Sequence, residues 1–172
     1  MPRYVALLRG VSPMNLRMPD LKRALEAAGF TNVKTLLSSG NVAFDARKSP
    51  EAKLQTKIEK ALTDTLGKSF ITFVRSQEAL TALLEADAFK VFTIKPTEKK
   101  VVTFLREPPR SKIKLPIEQD GGRLLAVHGT EAYTVYVPGH PKGPGFMGVL
   151  ERTFTKDQTT RTWDTVRKCS LA

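Results

Sequence analysis

The feature that most constrains this chain is the order in which short apolar runs and amphipathic runs alternate over its first 75 residues. Residues 3–8 form an apolar run of strand length that stops at Arg9-Gly10. Met18-Pro19-Asp20 then opens a helix, because Pro suits the first helical position and Asp20 favours the positive end of the helix dipole. Leu21, Ala24, Leu25 and Ala28 recur at helical spacing, and Gly29 closes the segment as a left-handed cap. Residues 33–37 and 42–45 read as two strands joined across Ser38, Ser39, Gly40 and Asn41. Ser49-Pro50-Glu51 repeats the helix-start signal, Leu54, Ile58, Ala61, Leu62 and Leu66 form its apolar stripe, and Gly67 ends it. Residues 70–74 supply a fourth strand. Strand, helix, strand, strand, helix, strand is the split βαβ, or ferredoxin-like, plan. Right-handed crossovers place both helices on one face of a four-stranded sheet.

The second half is less regular. Ser76 caps a helix with Leu80, Leu83 and Leu84 in its core stripe, running to about Asp87. Residues 100–105 form a strand halted by Pro108-Pro109, and residues 123–127 and 133–137 form a hairpin around His128-Gly129-Thr130-Glu131. A Gly- and Pro-rich stretch over 138–145 leads to a helical segment near 146–154. Thr159-Thr160-Arg161-Thr162 then precedes a terminal helix with Trp163 and Val166 on one face. The expectation is an α+β protein with an N-terminal ferredoxin-like subdomain over residues 1–76 and a C-terminal α/β subdomain over 77–172.

A chain of 172 residues is long enough to bury a core without disulfides or metal. No stretch approaches the roughly 18 continuous apolar residues of a membrane helix. The apolar run before Arg9 is too short for a secretion signal, and the single Cys169 forms no internal disulfide, so a cytoplasmic protein is expected. The compositional anomaly is a formal charge of +11, from 28 Lys and Arg against 17 Asp and Glu. Such a surplus attracts polyanions through counterion release, nucleic acid being the commonest partner, or serves solubility across a solvated surface. Residues 1–75 carry 13 basic and 6 acidic groups and residues 76–172 carry 15 and 11, so neither half is a basic tail.

Two stretches offer donors to an anion. In the first, Ser39, Gly40 and Asn41 either cradle a ligand or simply close the hairpin, since Gly followed by Asn tolerates positive φ. Arg9-Gly10 keeps the cradle in play: Gly10 permits close backbone approach, and Arg9 can pair bidentately with phosphate or carboxylate. In the second, Thr160, Arg161 and Thr162 precede a helix N-terminus whose free N–H groups attract anions, or Thr162 is an ordinary cap, with Asp164 opposing an anion there. His128, His140 and Cys169 show no ligand spacing, so no metal is expected, and no nucleotide-loop or nucleophile motif implies a cofactor. Gly139, Gly143 and Gly145 lie among Pro138, Pro141 and Pro144, which remove the donors a phosphate loop needs and point to a surface segment or lid. Tyr4 and Phe44 fall on the central strands, where RNA-recognition sheets stack bases, but without the dense glycine and aromatic motif of such sheets; Phe44 reads as core.

The blocks "YVALLRG" at 4–10, "DLKRALEAAGFTNVKT" at 20–35, "SGNVAFD" at 39–45 and "TTRTWDTVRK" at 159–168 resemble a bacterial family known as domain of unknown function 1697. The resemblance implies two tandem ferredoxin-like subdomains and brings no activity, cofactor or catalytic residue. The chain departs from the family pattern at Val11-Ser12-Pro13-Met14, where a glycine-rich stretch is usual, and at Thr162 and Asp164, where asparagines are usual. The leading functional expectation is a basic protein that binds an anionic ligand or nucleic acid through Arg9, residues 38–41 and Arg161. The alternatives are an enzyme acting on a small anionic metabolite at the subdomain interface, with His128 or His140 as general base, and an interaction module presenting a sheet edge.

Overall fold

A computed structural model describes residues 1–143 and 145–172. The chain divides into two compact units: Met1–Leu84 together with Arg167–Ala172, and Glu85–Val166. Each is α+β and each is built on one antiparallel sheet.

In the first unit the elements are β1 (Arg3–Leu8), α1 (Met18–Ala27), β2 (Thr31–Leu36), β3 (Asn41–Asp45), α2 (Glu51–Leu66) and β4 (Thr72–Ser76). The strand order β2-β3-β1-β4 is the ferredoxin-like one. Both helices pack on one face, where Tyr4, Ala6, Leu8, Val42, Phe44 and Val74 meet Leu21 and Leu25 of α1 and Leu54, Ile58 and Leu62 of α2. Val5, Leu7, Ala43 and Phe73, which point to the opposite face, are also buried. Burial on both sides is why β1 reads as an unbroken apolar run rather than an alternating one. Gln55 of α2 satisfies the edge of β4, its Oε1 accepting the Val74 N–H at 2.9 Å. The terminal segment is tied in because the Ala172 carbonyl accepts from Arg3 Nε at 2.7 Å and from Gln77 Nε2 at 2.8 Å.

The chain leaves the first unit within α3 (Gln77–Ala86), whose start is capped as expected: Ser76 Oγ accepts the Ala79 N–H at 3.0 Å. The second unit contains a short 3₁₀ turn (Ala88–Val91), β5 (Lys99–Leu105), β6 (Ile117–Gln119), β7 (Gly122–His128), β8 (Glu131–Tyr136), α4 (Gly145–Phe154) and β9 (Gln158–Thr162); α5 (Trp163–Ser170) follows. The sheet order is β6-β7-β8-β5-β9. Without the added edge strand β6, the order β7-β8-β5-β9 repeats that of the first unit. No helix lies between β5 and β7, because Pro108, Pro109 and Pro116 deny that stretch the N–H groups a helix needs. Two strands were not anticipated. β6 is only three residues long, below the length at which alternation is readable. β9 takes up Thr159-Thr160-Arg161-Thr162, whose three β-branched residues favour a pleated strand beside β5.

α4 lies over one face of this sheet, where Phe146, Val149, Leu150 and Phe154 meet Val101, Leu105, Leu124 and Ala132. Gly122 permits that approach: a Cβ there would stand 2.6 Å from Phe146 Cβ. Of the Gly- and Pro-rich stretch, Pro144 lies outside the described residues.

Candidate anion-binding site

The two expected donor groups fall in different units. In the first unit, the end of β1 and the β2–β3 hairpin are neighbours. Leu8 N donates to Gly40 O and Arg9 N donates to Ile71 O, each at 2.9 Å. Gly40 is buried at φ +86, and Asn41 is 0 % exposed, its Nδ2 donating to Leu36 O at 3.1 Å and to Ser39 Oγ at 2.9 Å. The Asn41 side-chain amide is thus used in closing the hairpin. Gly10, at φ +75, opens a loop in which Asn15 Nδ2 donates to Gly10 O at 2.8 Å and Ser12 N donates to Asn15 Oδ1 at 2.9 Å. Lys68 Nζ closes the same loop on Asn15 O at 2.7 Å. Ser39 is exposed and Arg9 half-buried at this rim.

In the second unit Arg161 is 8 % exposed and lies on β9 with its Nη1 donating to Thr159 Oγ1 at 2.7 Å and Thr160 O at 2.9 Å. Thr160 Oγ1 shares a hydrogen bond with Thr103 Oγ1 at 2.8 Å across the β5–β9 pair. Thr162 Oγ1 accepts the Thr165 N–H at 3.2 Å, the geometry of a helix cap. These contacts knit strand and helix together. His128 and Tyr133 rings lie 5.4 Å apart at the end of the β7–β8 hairpin, His140 Nδ1 accepts the Lys142 N–H at 3.3 Å, and Cys169 is buried in α5.

The structure brings together a set of cations that sequence reasoning passed over. A concavity of about 510 Å³ opens where β3 leads into α2, with Phe30, Ala46 and Leu54 in its lining and Arg47, Lys53 and Lys57 around it. Lys53 and Lys57 are four residues apart on α2, so they project from the same side of the helix. Lys57 Nζ stands 4.7 Å from the centroid of the Phe30 ring, which supports the ammonium without neutralising it. The one carboxylate in the lining, Asp45, is already engaged: Arg3 Nη1 donates to it at 2.9 Å and Asn32 Nδ2 at 3.2 Å. The Arg3 hydrogen bond holds the Asp45 carboxyl below its ordinary value. Arg47, Lys53 and Lys57 have no acidic partner among the described residues. The readable signal was the Arg47-Lys48 pair followed by lysines at helical spacing, but it acquires meaning only once the end of β3 is seen to fold against α2.

Charge is divided unequally between the units. The first has 15 Lys and Arg against 7 Asp and Glu, a surplus of eight, and the second has 13 against 10, a surplus of three. The formal charge surplus therefore resides mainly in the unit that holds this concavity. Tyr4 and Phe44 are buried at 4 % and 0 %, so the central strands present no aromatic platform to bases.

Residues 1–133 match the family described as a protein of unknown function, DUF1697. The chain belongs to DUF1697. A solved structure of a conserved bacterial protein, SP0830 from Streptococcus pneumoniae, superposes with a TM-score of 0.71 at 22 % identity, covering 99 % of this chain and 97 % of that one. That likeness shows the shared fold of this DUF1697 chain across both its units. A comparison with curated proteins finds no match.

Proposed function

We propose that this DUF1697 protein is a basic binding protein that takes a small anionic ligand into the concavity of its first unit. The observation that carries this reading is the convergence of Arg47, Lys53 and Lys57, none with an acidic partner among the described residues, on a space of about 510 Å³. Arg47 supplies a planar fork suited to phosphate or carboxylate oxygens, and the two lysines supply point charges at adjustable reach. Lys53 and Lys57 repel each other in the absence of a counter-charge, so an anion between them relieves a cost the helix otherwise bears. The volume suits a compact ligand rather than a polymer.

Arg9 and Ser39, exposed or half-exposed at the far ends of β1 and the hairpin, extend the basic surface, and they are the residues through which a longer polyanion such as nucleic acid would add contacts. The test is a binding titration of inorganic triphosphate and of a labelled single-stranded oligonucleotide at low and moderate salt. Triphosphate affinity that falls with salt and is weakened in Arg47→Ala and Lys53→Ala supports the reading. Absence of binding, or affinity indifferent to salt and to both substitutions, rejects it. Oligonucleotide binding that depends on Arg9 but not on Arg47 assigns the surplus charge to nucleic acid instead.

A further inference from the structure

The cationic concavity of the first unit has one acidic side chain in its lining, and donors from outside the hollow hold it. Asp45 stands with Arg47, Lys53 and Lys57 around the space. Its two oxygens meet different donors: Arg3 Nη1 donates to Oδ1 at 2.9 Å, and Asn32 Nδ2 donates to Oδ2 at 3.2 Å. Neither donor belongs to the lining. Arg3 is itself fixed, with Nε donating to Ala172 O at 2.7 Å and Nη1 to Asn32 O at 3.1 Å. The side chains of Arg3 and Asp45 are 18 % and 24 % exposed, so water screens their pairing less than that of an open surface pair.

Register explains how the two donors reach one carboxylate. Arg3 of β1 and Thr31 of β2 both stand directly opposite Asp45 of β3. Beyond Thr31 the register shifts: three steps along β2, from 31 to 34, match two along β3, from 45 to 43. Asn32 lies in that bulge at φ +52, a backbone region that Asn tolerates. The bulge brings a side-chain amide to a carboxylate that regular pairing would leave to Arg3 alone.

From this geometry we infer that Arg3 and Asn32 are positioning residues of the anion site, and that by holding Asp45 they tune the hollow to multiply charged anions; the inference rests on the reading that the hollow takes an anionic ligand. A carboxylate left to itself in this lining would cancel one of the three cations and repel the ligand, and that repulsion grows with the charge of the ligand. Paired with a guanidinium at 2.9 Å it presents a dipole, whose field falls off faster with distance than that of a single charge. The ion pair also braces β1 against β3. The two roles make opposite predictions for Asp45: loss of a brace weakens the site, whereas loss of an opposing carboxylate strengthens it.

Triphosphate and inorganic phosphate are titrated calorimetrically into the full chain and its variants at one salt concentration. Arg3→Met, which releases Asp45, should weaken triphosphate by about tenfold and inorganic phosphate by less. Asp45→Asn should bind triphosphate more tightly than the parent, and Arg3→Met combined with Asp45→Asn should return to within about twofold of the parent. Asn32→Gly keeps the left-handed backbone and loses only the amide, so it should weaken triphosphate by a smaller factor and serves where Arg3→Met does not fold. Asp20→Asn, which removes the same charge from a carboxylate paired with Arg23 and outside this lining, should leave affinity unchanged. A parent chain that binds neither anion overturns the reading of the hollow and this inference with it. A parent that binds triphosphate overturns the inference alone under any of three results: Asp45→Asn binds more weakly, Arg3→Met and Asn32→Gly bind as the parent does, or Asp20→Asn gains as much as Asp45→Asn.

Discussion

Gly40 and Val11 are in contact across the end of the first sheet: a Cβ built on Gly40 would stand 2.9 Å from both Val11 Cβ and Val11 Cγ2. The β2–β3 hairpin and the loop after β1 therefore pack side by side, and Gly40, at φ +86, is the residue that allows it. Where Gly10 also adopts positive φ but meets nothing within 4 Å, the constraint is conformational alone. Gly40→Ala combines left-handed strain with overpacking and should cost about 2–3 kcal/mol. Urea denaturation followed by hydrogen exchange of β1 and β3 amides measures it, and Gly10→Ala should cost about half as much because only the backbone term remains.

Lys53 and Lys57 place like charges one helical turn apart at the mouth of the cationic concavity. Lys53→Glu replaces that repulsion by a favourable Glu-to-Lys pair at i,i+4 and should stabilise the first unit by about 0.5 kcal/mol, while abolishing triphosphate binding. Opposite movement of stability and affinity is the outcome to look for; a variant that loses both has a structural lysine there instead.

Two carboxylates make stability depend on acid. The Arg3 hydrogen bond lowers Asp45, and the bidentate Arg123 pair, at 2.8 and 2.9 Å, lowers the nearly buried Glu98, which also accepts the Lys95 N–H. Each group titrates lower when folded than when unfolded, so its contribution is fully present above the ordinary carboxylate range and is lost as pH falls through the folded value. Asp45→Asn and Glu98→Gln should each be less stable than the parent at pH 7, with the difference shrinking below about pH 4. For Glu98 the change is read in the second unit by Trp163, the single tryptophan, whose ring meets Phe89 edge-on at 5.2 Å.

Thr155 ends α4 in a left-handed conformation, its N–H bonding Glu151 O at 2.9 Å as a helix-terminating glycine would. Thr155→Gly removes the clash of a β-branched side chain with that backbone and should stabilise the second unit by about 1 kcal/mol, raising its thermal midpoint by several degrees. A fall in the midpoint would mean that the Thr155 hydroxyl contact to Asp157 outweighs the strain.

What could be read from residues alone was whatever local chemistry decides. Helix starts at Met18-Pro19-Asp20 and Ser76, the left-handed stop at Gly67, the cap at Thr162 and the strand–helix order of the first unit follow from backbone preferences and periodicity, which act within a few residues. With the order known, the ferredoxin-like sheet with both helices on one face followed from handedness rules. Family membership was legible for the same reason, in contiguous blocks. The internal partners of Asn41, Thr160 and Arg161 were not, because which neighbours take the hydrogen bonds of a side-chain amide, hydroxyl or guanidinium is set by packing. Packing gave Asn41 to Leu36 and Ser39, and Arg161 to Thr159 and Thr160. Tertiary structure alone also decided that Arg47 joins Lys53 and Lys57 around one hollow and that Thr159–Thr162 becomes strand β9 against β5. Charge and type are properties of a residue, whereas convergence is a property of how distant segments close on one another.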